Sequence, residues 1–339
     1  MNISLLGIDI AKSVFQLHGI DAQGKAVLKK KLSRNALVSF IANIPVCTIV
    51  MEACGGSHHW GREFKKHGHE VKLISPQFVK PFVKTNKNDA ADAQAICEAA
   101  SRPEMRFVAI KSKEQQDIQS LHRIRQRLIK ERTALVNQIR GFLSEYGVIV
   151  SQGVNSLRKG LMGILEDGEN GLSLKIRELT NELREELVAL DKQIEKYEKK
   201  LEEIHKNNDI CKRISKIEGI GLLSSTIMLA ELGDPSVFKS GRHFAAFLGL
   251  VPKQNSSGGK NRLLGISKRG DSYIRSLLIH GARAVLKVAE KKTDSRSMWL
   301  KGLKERRGYN RASVALANKN ARIIWSLIAN NTEYKKAVI

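Results

Sequence analysis

Gly7-Ile8-Asp9-Ile10-Ala11-Lys12 is the stretch that decides the fold. It completes an apolar run over residues 3–10 that reads as a strand. A carboxylate at the centre of a buried strand costs several kcal/mol unless it is paired or holds a metal ion. The other reading of Asp9, an aspartate capping a turn at a strand end, suits it less, because apolar residues lie on both sides.

Working outward, residues 13–20 and 26–32 read as a second and a third strand, joined by the turn Asp21-Ala22-Gln23-Gly24. Ser33 stands where an N-cap belongs, ahead of a helix over 36–42. Residues 47–51 form a short strand in which Thr, Ile and Val are good strand formers. A helix near 60–66, a strand over 71–74 and a helix from Asp89 towards Ala100 follow. Three strands, helix, strand, helix, strand, helix is the layout of a ribonuclease H-like domain, a mixed α/β sheet flanked by helices, assigned to residues 1–108.

Three further carboxylates fall at informative places in that layout. Glu52 follows directly on a strand that lies beside the first one in such a sheet, within reach of Asp9; taken alone, it also fits a solvent-facing strand end. Asp89 and Asp92 are three residues apart at a helix start and so share one face. The alanines between them allow close approach to a sheet; acids that complement the helix dipole are the other reading. Together the four offer oxygen ligands from two strands and one helix. That donor set suits Mg²⁺, and Mg²⁺ at such a site serves in-line phosphoryl transfer.

The chain's 339 residues point to two or three domains. With 58 Lys and Arg against 34 Asp and Glu, the formal charge is +24. Nucleic acid is the natural counter-charge, because each neutralised phosphate releases condensed counterions. A membrane partner is disfavoured: no apolar run is long enough to span a bilayer, and the best one, 40–51, is broken by Asn43 and Pro45. The N-terminus lacks a basic region ahead of an apolar run, so a cytoplasmic, nucleoid-associated location is expected. Cys47, Cys54, Cys97 and Cys211 have neither zinc-site nor disulfide spacing and are expected to be reduced. His58, His59, His67 and His69 lack the partner ligands of a zinc site.

Residues 109–207 change character. Ile118, Leu121, Leu128, Leu135, Ile139, Phe142 and Tyr146 follow three-, four- or seven-residue spacings. Ile176, Leu179, Leu183, Leu187, Leu190, Ile194, Tyr197, Leu201 and Ile204 do the same. Both read as coiled-coil seams on two long helices, antiparallel or paired with a second subunit, with glycines between them. The first helix is crowded with Arg123, Arg125, Arg127, Lys130, Arg132 and Arg140, whereas the second balances its charges with glutamates. That contrast favours a nucleic-acid role for the first over a merely solvated face.

Residues 208–339 form a third, mainly helical segment. Gly219-Ile220-Gly221 ahead of an apolar helix over 222–232 resembles the hairpin of a helix-hairpin-helix module, whose backbone N–H groups take a phosphate without reading sequence; a tight interhelical turn is the other reading. Next comes a basic, glycine-rich loop over 253–268 that contains Ser256-Ser257-Gly258-Gly259. Lys253, Lys260, Arg262, Lys268 and Arg269 are placed to hold a DNA backbone around it. Serine needs activation to act as a nucleophile and no histidine lies nearby in sequence, so composition alone reads this as a flexible basic loop.

Taken together, these residues resemble the DEDD transposases of insertion sequence family 110, including its 1111 subgroup, and the related Piv invertase. Gly-Ile-Asp9-Ile-Ala-Lys, Met-Glu52-Ala-Cys-Gly and Lys-Asn-Asp89-Ala-Ala-Asp92-Ala carry the first part of the likeness. Gly-Leu-Val-Pro252 through Ser257-Gly, Ile266-Ser-Lys-Arg-Gly270 and Gly281-Ala-Arg283-Ala carry the second. The resemblance covers nearly the whole chain. It implies a ribonuclease H-like domain of the Holliday-junction-resolvase type whose four acids bind Mg²⁺. It also implies a serine in the C-terminal transposase domain that becomes linked to DNA. Ser257, directly before glycine, takes that role, with Ser256 adjoining it. It further implies strand exchange between an element and its target DNA, by a homo-oligomer guided by a structured RNA.

Three other functions fit parts of the sequence. A hydrolytic junction nuclease would use the same acids with water as nucleophile. A coiled-coil nucleic-acid scaffold would not need Asp9. An actin-like kinase would need a second phosphate-binding hairpin, which the sequence lacks.

Overall fold

The computed structural model describes residues 2–83 and 89–335, without the side chains of Asp89 and Ala90. The chain divides into two compact units, residues 1–113 with 233–239 and residues 114–232 with 240–339.

The first unit is built on a mixed sheet. Strands β1 (Leu5–Ile10), β2 (Val14–Ile20) and β3 (Ala26–Ser33) are followed by α1 (Arg34–Asn43), β4 (Thr48–Glu52), α2 (Ser57–Lys66) and β5 (Glu70–Ile74). A short helix α3 (Pro76–Val79), the helix α4 (Asp89–Ala100) and a two-residue strand β6 (Phe107–Val108) complete it. The sheet order is β3-β2-β1-β4-β5-β6. β1 runs antiparallel to β2 and parallel to β4. The expected succession of strands and helices is found; Ser33, however, ends β3 and stands at the α1 N-cap position without a side-chain cap bond.

Side chains alternate between the two faces of a strand, so burying one set directs the other. Leu6, Ile8, Phe15, Leu17, Ile49 and Met51 join Leu37, Ile41, Trp60 and Phe64 in the core under α1 and α2. The intervening residues Gly7, Asp9, Gln16, His18, Val50 and Glu52 therefore face the α4 side. On that side Val50, Ile74, Ala95, Ile96 and Ala99 form a second, smaller core. Gly7 is what lets α4 settle there: a Cβ on it would lie 2.6 Å from the Ala93 carbonyl oxygen and 2.8 Å from Cys97 Sγ. The Gly7 N–H donates to Cys97 Sγ (3.0 Å), and the thiol donates to the His18 carbonyl (3.0 Å). Burial pushes the Cys97 thiol pKa up to about 12, so it stays a donor.

The second unit is helical apart from one hairpin. It holds α5 (Lys113–Glu145), α6 (Val154–Glu166), α7 (Leu174–Asn207), α8 (Asp209–Ser215) and α9 (Leu222–Leu232). Then come α10 (Gly241–Phe247), strands β7 (Pro252–Gln254) and β8 (Leu263–Ile266), α11 (Ser272–Ala289), α12 (Ser295–Arg307) and α13 (Tyr309–Ala329). The apolar seams of α5 and α7 share their core with a third helix. α6 forms within the glycine-punctuated stretch, and Leu157 and Leu161 from it share one core with Leu128, Leu135, Ile139, Ile176, Leu187 and Ile194. Phe142 and Tyr146, assigned to the first seam by spacing, are exposed. Residues 114–207 fall in the same compact unit as residues 240–339.

Candidate functional site

The register of β1 against β4 pairs Leu5 with Thr48 and continues to Ile8 with Met51. The next step brings Asp9 beside Glu52, on the face that α4 covers. Asp9 and Glu52 are half-buried, and so is Asp92 in the first turn of α4. The Glu52 carboxyl is pushed above the usual carboxylate range, first by burial and then by the negative charges of Asp9 and Asp92. Three of the four acids thus share one electrostatic site. Asp89 opens α4, but its side chain lies outside the described residues. Among the described residues, no three His, Cys, Asp or Glu side chains already form a metal cage. The donor chemistry, half-buried carboxylate oxygens crowded against like charge, fits a hard divalent cation.

Cys54 lies in the same field and was not singled out from the sequence. Its thiol pKa is raised by burial, then by Glu52 and Asp9. The other cysteines, and His58 and His69, have structural partners. All four cysteines are free thiols. His69 accepts from the Cys47 N–H through Nδ1 (3.2 Å). His58 Nδ1 accepts from the Lys111 N–H (3.1 Å).

Ser256 and Ser257 lie in the second unit. The segment read as a flexible loop is a β-hairpin, because β7 and β8 pair and Ser257 bridges to Lys260. Gly258 (φ 54°) and Gly259 (φ 78°) provide the two positive φ angles that a tight two-residue hairpin turn needs. The base is firmly held. Arg275 is buried and donates to the carbonyls of Leu248 and Arg269, and the Ser267 N–H bonds the Val251 carbonyl (2.7 Å). The tip is exposed from Pro252 to Gly265, including Lys253, Lys260 and Arg262. The two serines differ in their bonding. The Ser256 hydroxyl accepts from Gln254 Nε2 (3.1 Å) and the Arg262 N–H (3.3 Å). The Ser257 hydroxyl makes no hydrogen bond among the described residues.

The glycine turn between α8 and α9 divides its duties. Gly219 (φ 88°) is required by packing, since a Cβ there would lie 2.9 Å from the Gly281 carbonyl oxygen on α11. Gly221 is exposed at the start of α9 and has open space where a Cβ would stand. A cavity of about 1240 Å³ lies elsewhere in this unit, lined by Leu264, Ile266, Trp299, Val314, Ile323 and Trp325 among others. None of the expected site residues lines it, although Pro252, Leu264 and Ile266 of the hairpin do.

The basic residues of α5 also divide. Arg125 is paired with Glu198 on α7 (2.5 Å) and Arg132 with Asp191 (3.2 Å), so these two tie the helices together. Arg123, Arg127 and Lys130 are exposed, although Arg127 also pairs with Glu131 on its own helix. One of the α7 glutamates that balanced its sequence, Glu198, is thus taken by an arginine of α5, as is Asp191. No helix among the described residues is long and apolar enough to cross a membrane.

Comparison with known proteins gives the same picture from another direction. A family model described as Transposase IS116/IS110/IS902 family matches residues 211–297, and the DEDD transposase model of IS110 matches residues 6–148. The transposase for insertion sequence element IS1111A of Coxiella burnetii is 51% identical over 334 residues, covering 98% of this chain and 92% of the relative. The "Probable family 20 transposase" of Pseudomonas aeruginosa is 48% identical over 336 residues, 99% of each chain. The transposase for insertion sequence element IS1328 of Yersinia enterocolitica is 40% identical over 335 residues, again 99% of each.

Proposed function

The chain belongs to the IS116/IS110/IS902 family of transposases, and from that premise we propose that it cuts and rejoins DNA through a Mg²⁺-dependent acidic site and a serine–DNA intermediate. The observation that carries the proposal is the placement of Asp9 and Glu52 at the ends of adjacent parallel strands, in a shared field with Asp92. The strand order supports reading the first unit as ribonuclease H-like. Asp9, Glu52 and Asp92 would hold the ion, with Asp89 joining from the same helix. When bound, the ion supplies positive charge to the phosphoryl oxygens.

The freedom of the Ser257 hydroxyl, against the tied hydroxyl of Ser256, supports Ser257 as the nucleophile. Its Oγ forms a bond to phosphorus while the bond from phosphorus to a deoxyribose oxygen breaks. The serine proton is lost to solvent and the departing sugar oxygen takes one up. The linkage keeps the phosphodiester energy, so a second DNA hydroxyl can reverse the step and complete strand exchange. Lys253, Lys260 and Arg262 flank the tip to hold the DNA backbone, and Lys268 and Arg269 stand at its base. Gly219 shapes the α8–α9 turn, and Gly221 at its exposed end gives a phosphate room to approach.

The proposal extends to a structured guide RNA and a homo-oligomer acting in the cytoplasm at the nucleoid. Support comes from the +24 charge and the exposed Arg123, Arg127 and Lys130. The test is incubation with Mg²⁺ and a labelled branched-junction DNA. A covalent protein–DNA adduct is expected from the wild-type chain and from Ser256→Ala, and none from Ser257→Ala. Full cleavage by Ser257→Ala would instead identify water as the nucleophile and the protein as a hydrolytic nuclease.

A further inference from the structure

The strand register that brings the acids together also sets a basic row beside them. Across the sheet, Asp9 pairs with Gln16 and Gln16 with Lys31. Two residues further along, on the same face, Gly7 pairs with His18 and His18 with Lys29. Directly opposed residues share a face, so Glu52, Asp9, Gln16 and Lys31 lie in one line on the α4 side. Their order is acid, acid, amide, lysine. α4 covers the Gly7 position through Ala93 and Cys97. Beside its first turns a cleft of about 320 Å³ is left, lined by Gln16, His18, Lys29, Lys31, Ala91 and Gln94 among others. Lys29, Lys31 and Gln94 are exposed. Neither lysine forms an ion pair among the described residues.

We propose that Lys29 and Lys31, assisted by the Gln16 and Gln94 amides, hold backbone phosphates of the DNA strand whose reacting phosphate lies at Asp9 and Glu52. The cleft is a track that leads the strand off the acidic site across β2 and β3. Lys31 is two strand spacings from Asp9, about 10 Å. Successive phosphates of a strand lie farther apart than the roughly 3.4 Å axial rise, because the backbone also winds around the axis, so the lysine meets the backbone within about two nucleotides of the reaction. The chemistry fits a polyanion and little else. Two ammonium groups and two amides donate to phosphate oxygens, and the cleft has no large apolar wall to read a base. An anionic strand also needs such a counter-charge there, because the acids beside it repel phosphate. The inference rests on the acidic site's being the place where DNA reacts.

Lys30 provides the control. It is next in sequence to both lysines, carries the same charge and borders the same cleft, but the alternation of β3 turns its side chain the other way, with Nζ 4.8 Å from the Phe40 ring centroid. The full-length chain is titrated with a fluorescein-labelled duplex oligonucleotide in EDTA over a range of NaCl concentrations. Each phosphate that the protein ceases to neutralise lowers the slope of log affinity against log salt by about 0.9, so Lys29→Gln with Lys31→Gln should lower it by about 1.8. Lys30→Gln should leave the slope unchanged. Equal slopes for the double variant and Lys30→Gln would overturn the proposal. So would an unchanged slope with a shifted Mg²⁺ requirement for adduct formation, which would make the lysines counter-ions of the acids. Because the slope is read without divalent ions, it stands apart from the adduct assay. A wild-type chain that forms no adduct overturns the catalytic reading, and a normal adduct with an unaltered slope overturns only this one.

Discussion

Replacing Glu52 by Gln should make the metal-free protein more stable and deprive it of stabilisation by Mg²⁺. Glu52 and Asp9 stand on neighbouring parallel strands, about 4.8 Å apart. At that spacing two like charges repel by about 0.9 kcal/mol in bulk water and about 3.5 kcal/mol at an effective dielectric of 20. Glu52 is half-buried, so screening by solvent places the relief near the lower figure, about 1 kcal/mol. That corresponds to a rise in melting temperature of about 2–4 °C. The pH dependence follows from the raised Glu52 pKa. The folded state holds the proton more tightly than the unfolded chain. Stability of the metal-free wild type therefore falls as pH rises from the ordinary glutamate range through the raised value. The Gln variant lacks that fall. A Mg²⁺ ion bound as proposed would act in the opposite direction: at a hundred times its dissociation constant it would add about 2.7 kcal/mol, and removing one charged ligand would weaken that gain. The assay is a set of thermal melts near neutral pH in EDTA and in Mg²⁺. A Gln variant that melts below the wild type in EDTA, or an equal Mg²⁺-induced rise in both proteins, would refute the reasoning.

Two other substitutions probe the second unit. His122 is buried, with Nε2 donating to Thr226 Oγ1 (3.0 Å), whose own proton goes to the Leu222 carbonyl, and Nδ1 accepting from the Tyr273 hydroxyl (3.1 Å). Burial, and next the Arg125 charge, lower its pKa from 6.5 to about 4, so its contribution to stability is complete above pH 6.5 and is lost towards pH 4. Urea unfolding should show about 3 kcal/mol of that acid-side loss disappearing in His122→Gln; an unchanged pH profile would contradict the assigned neutral imidazole. Gly281→Ala places a Cβ 1.9 Å from the Gly219 carbonyl oxygen and should cost at least about 3 kcal/mol by the same measurement. Gly221→Ala meets nothing within 4 Å and should change stability by less than about 0.5 kcal/mol while weakening duplex binding; intact binding would reduce that turn to a structural one.

The sheet was legible in the sequence because its apolar runs are bounded by clear turns, and Asp9 and Glu52 could be read as partners once a parallel neighbour was assumed. The parts that were not legible depend on distant contacts. Two consecutive glycines produce the turn of the β7–β8 hairpin, but the surrounding composition of lysine, serine and asparagine is also that of a loop. The seam of α5 carries its period through Phe142 and Tyr146, and nothing in the spacing reveals that α6 fills the partner's place. Arg125 reads as a phosphate ligand until Glu198, seventy-three residues on, is seen to take it. Gly219 reads as a phosphate turn until Gly281 is seen against it. For the helices the local signal was present and the deciding partner lay in another helix.

The acids illustrate how an apolar core places a polar site. Nothing in Asp9 itself directs it towards α4. Leu6 and Ile8 must enter the core under α1 and α2, and the alternation of the strand then turns Gly7 and Asp9 the other way. Ile49 and Met51 impose the same choice on Val50 and Glu52. A slip of one residue in either strand would bury the carboxylate among leucines and expose the core, so the register is fixed by far more apolar burial than the acids cost. Gly7 then sets the depth. Without a side chain there, α4 closes on β1 until Cys97 bonds both the Gly7 N–H and the His18 carbonyl, which fixes where the first turn of α4 and Asp92 stand. The electrostatic strain felt by Glu52 is therefore held in place by hydrophobic packing on one face and a thiol clamp on the other, and it is available to be relieved by a cation.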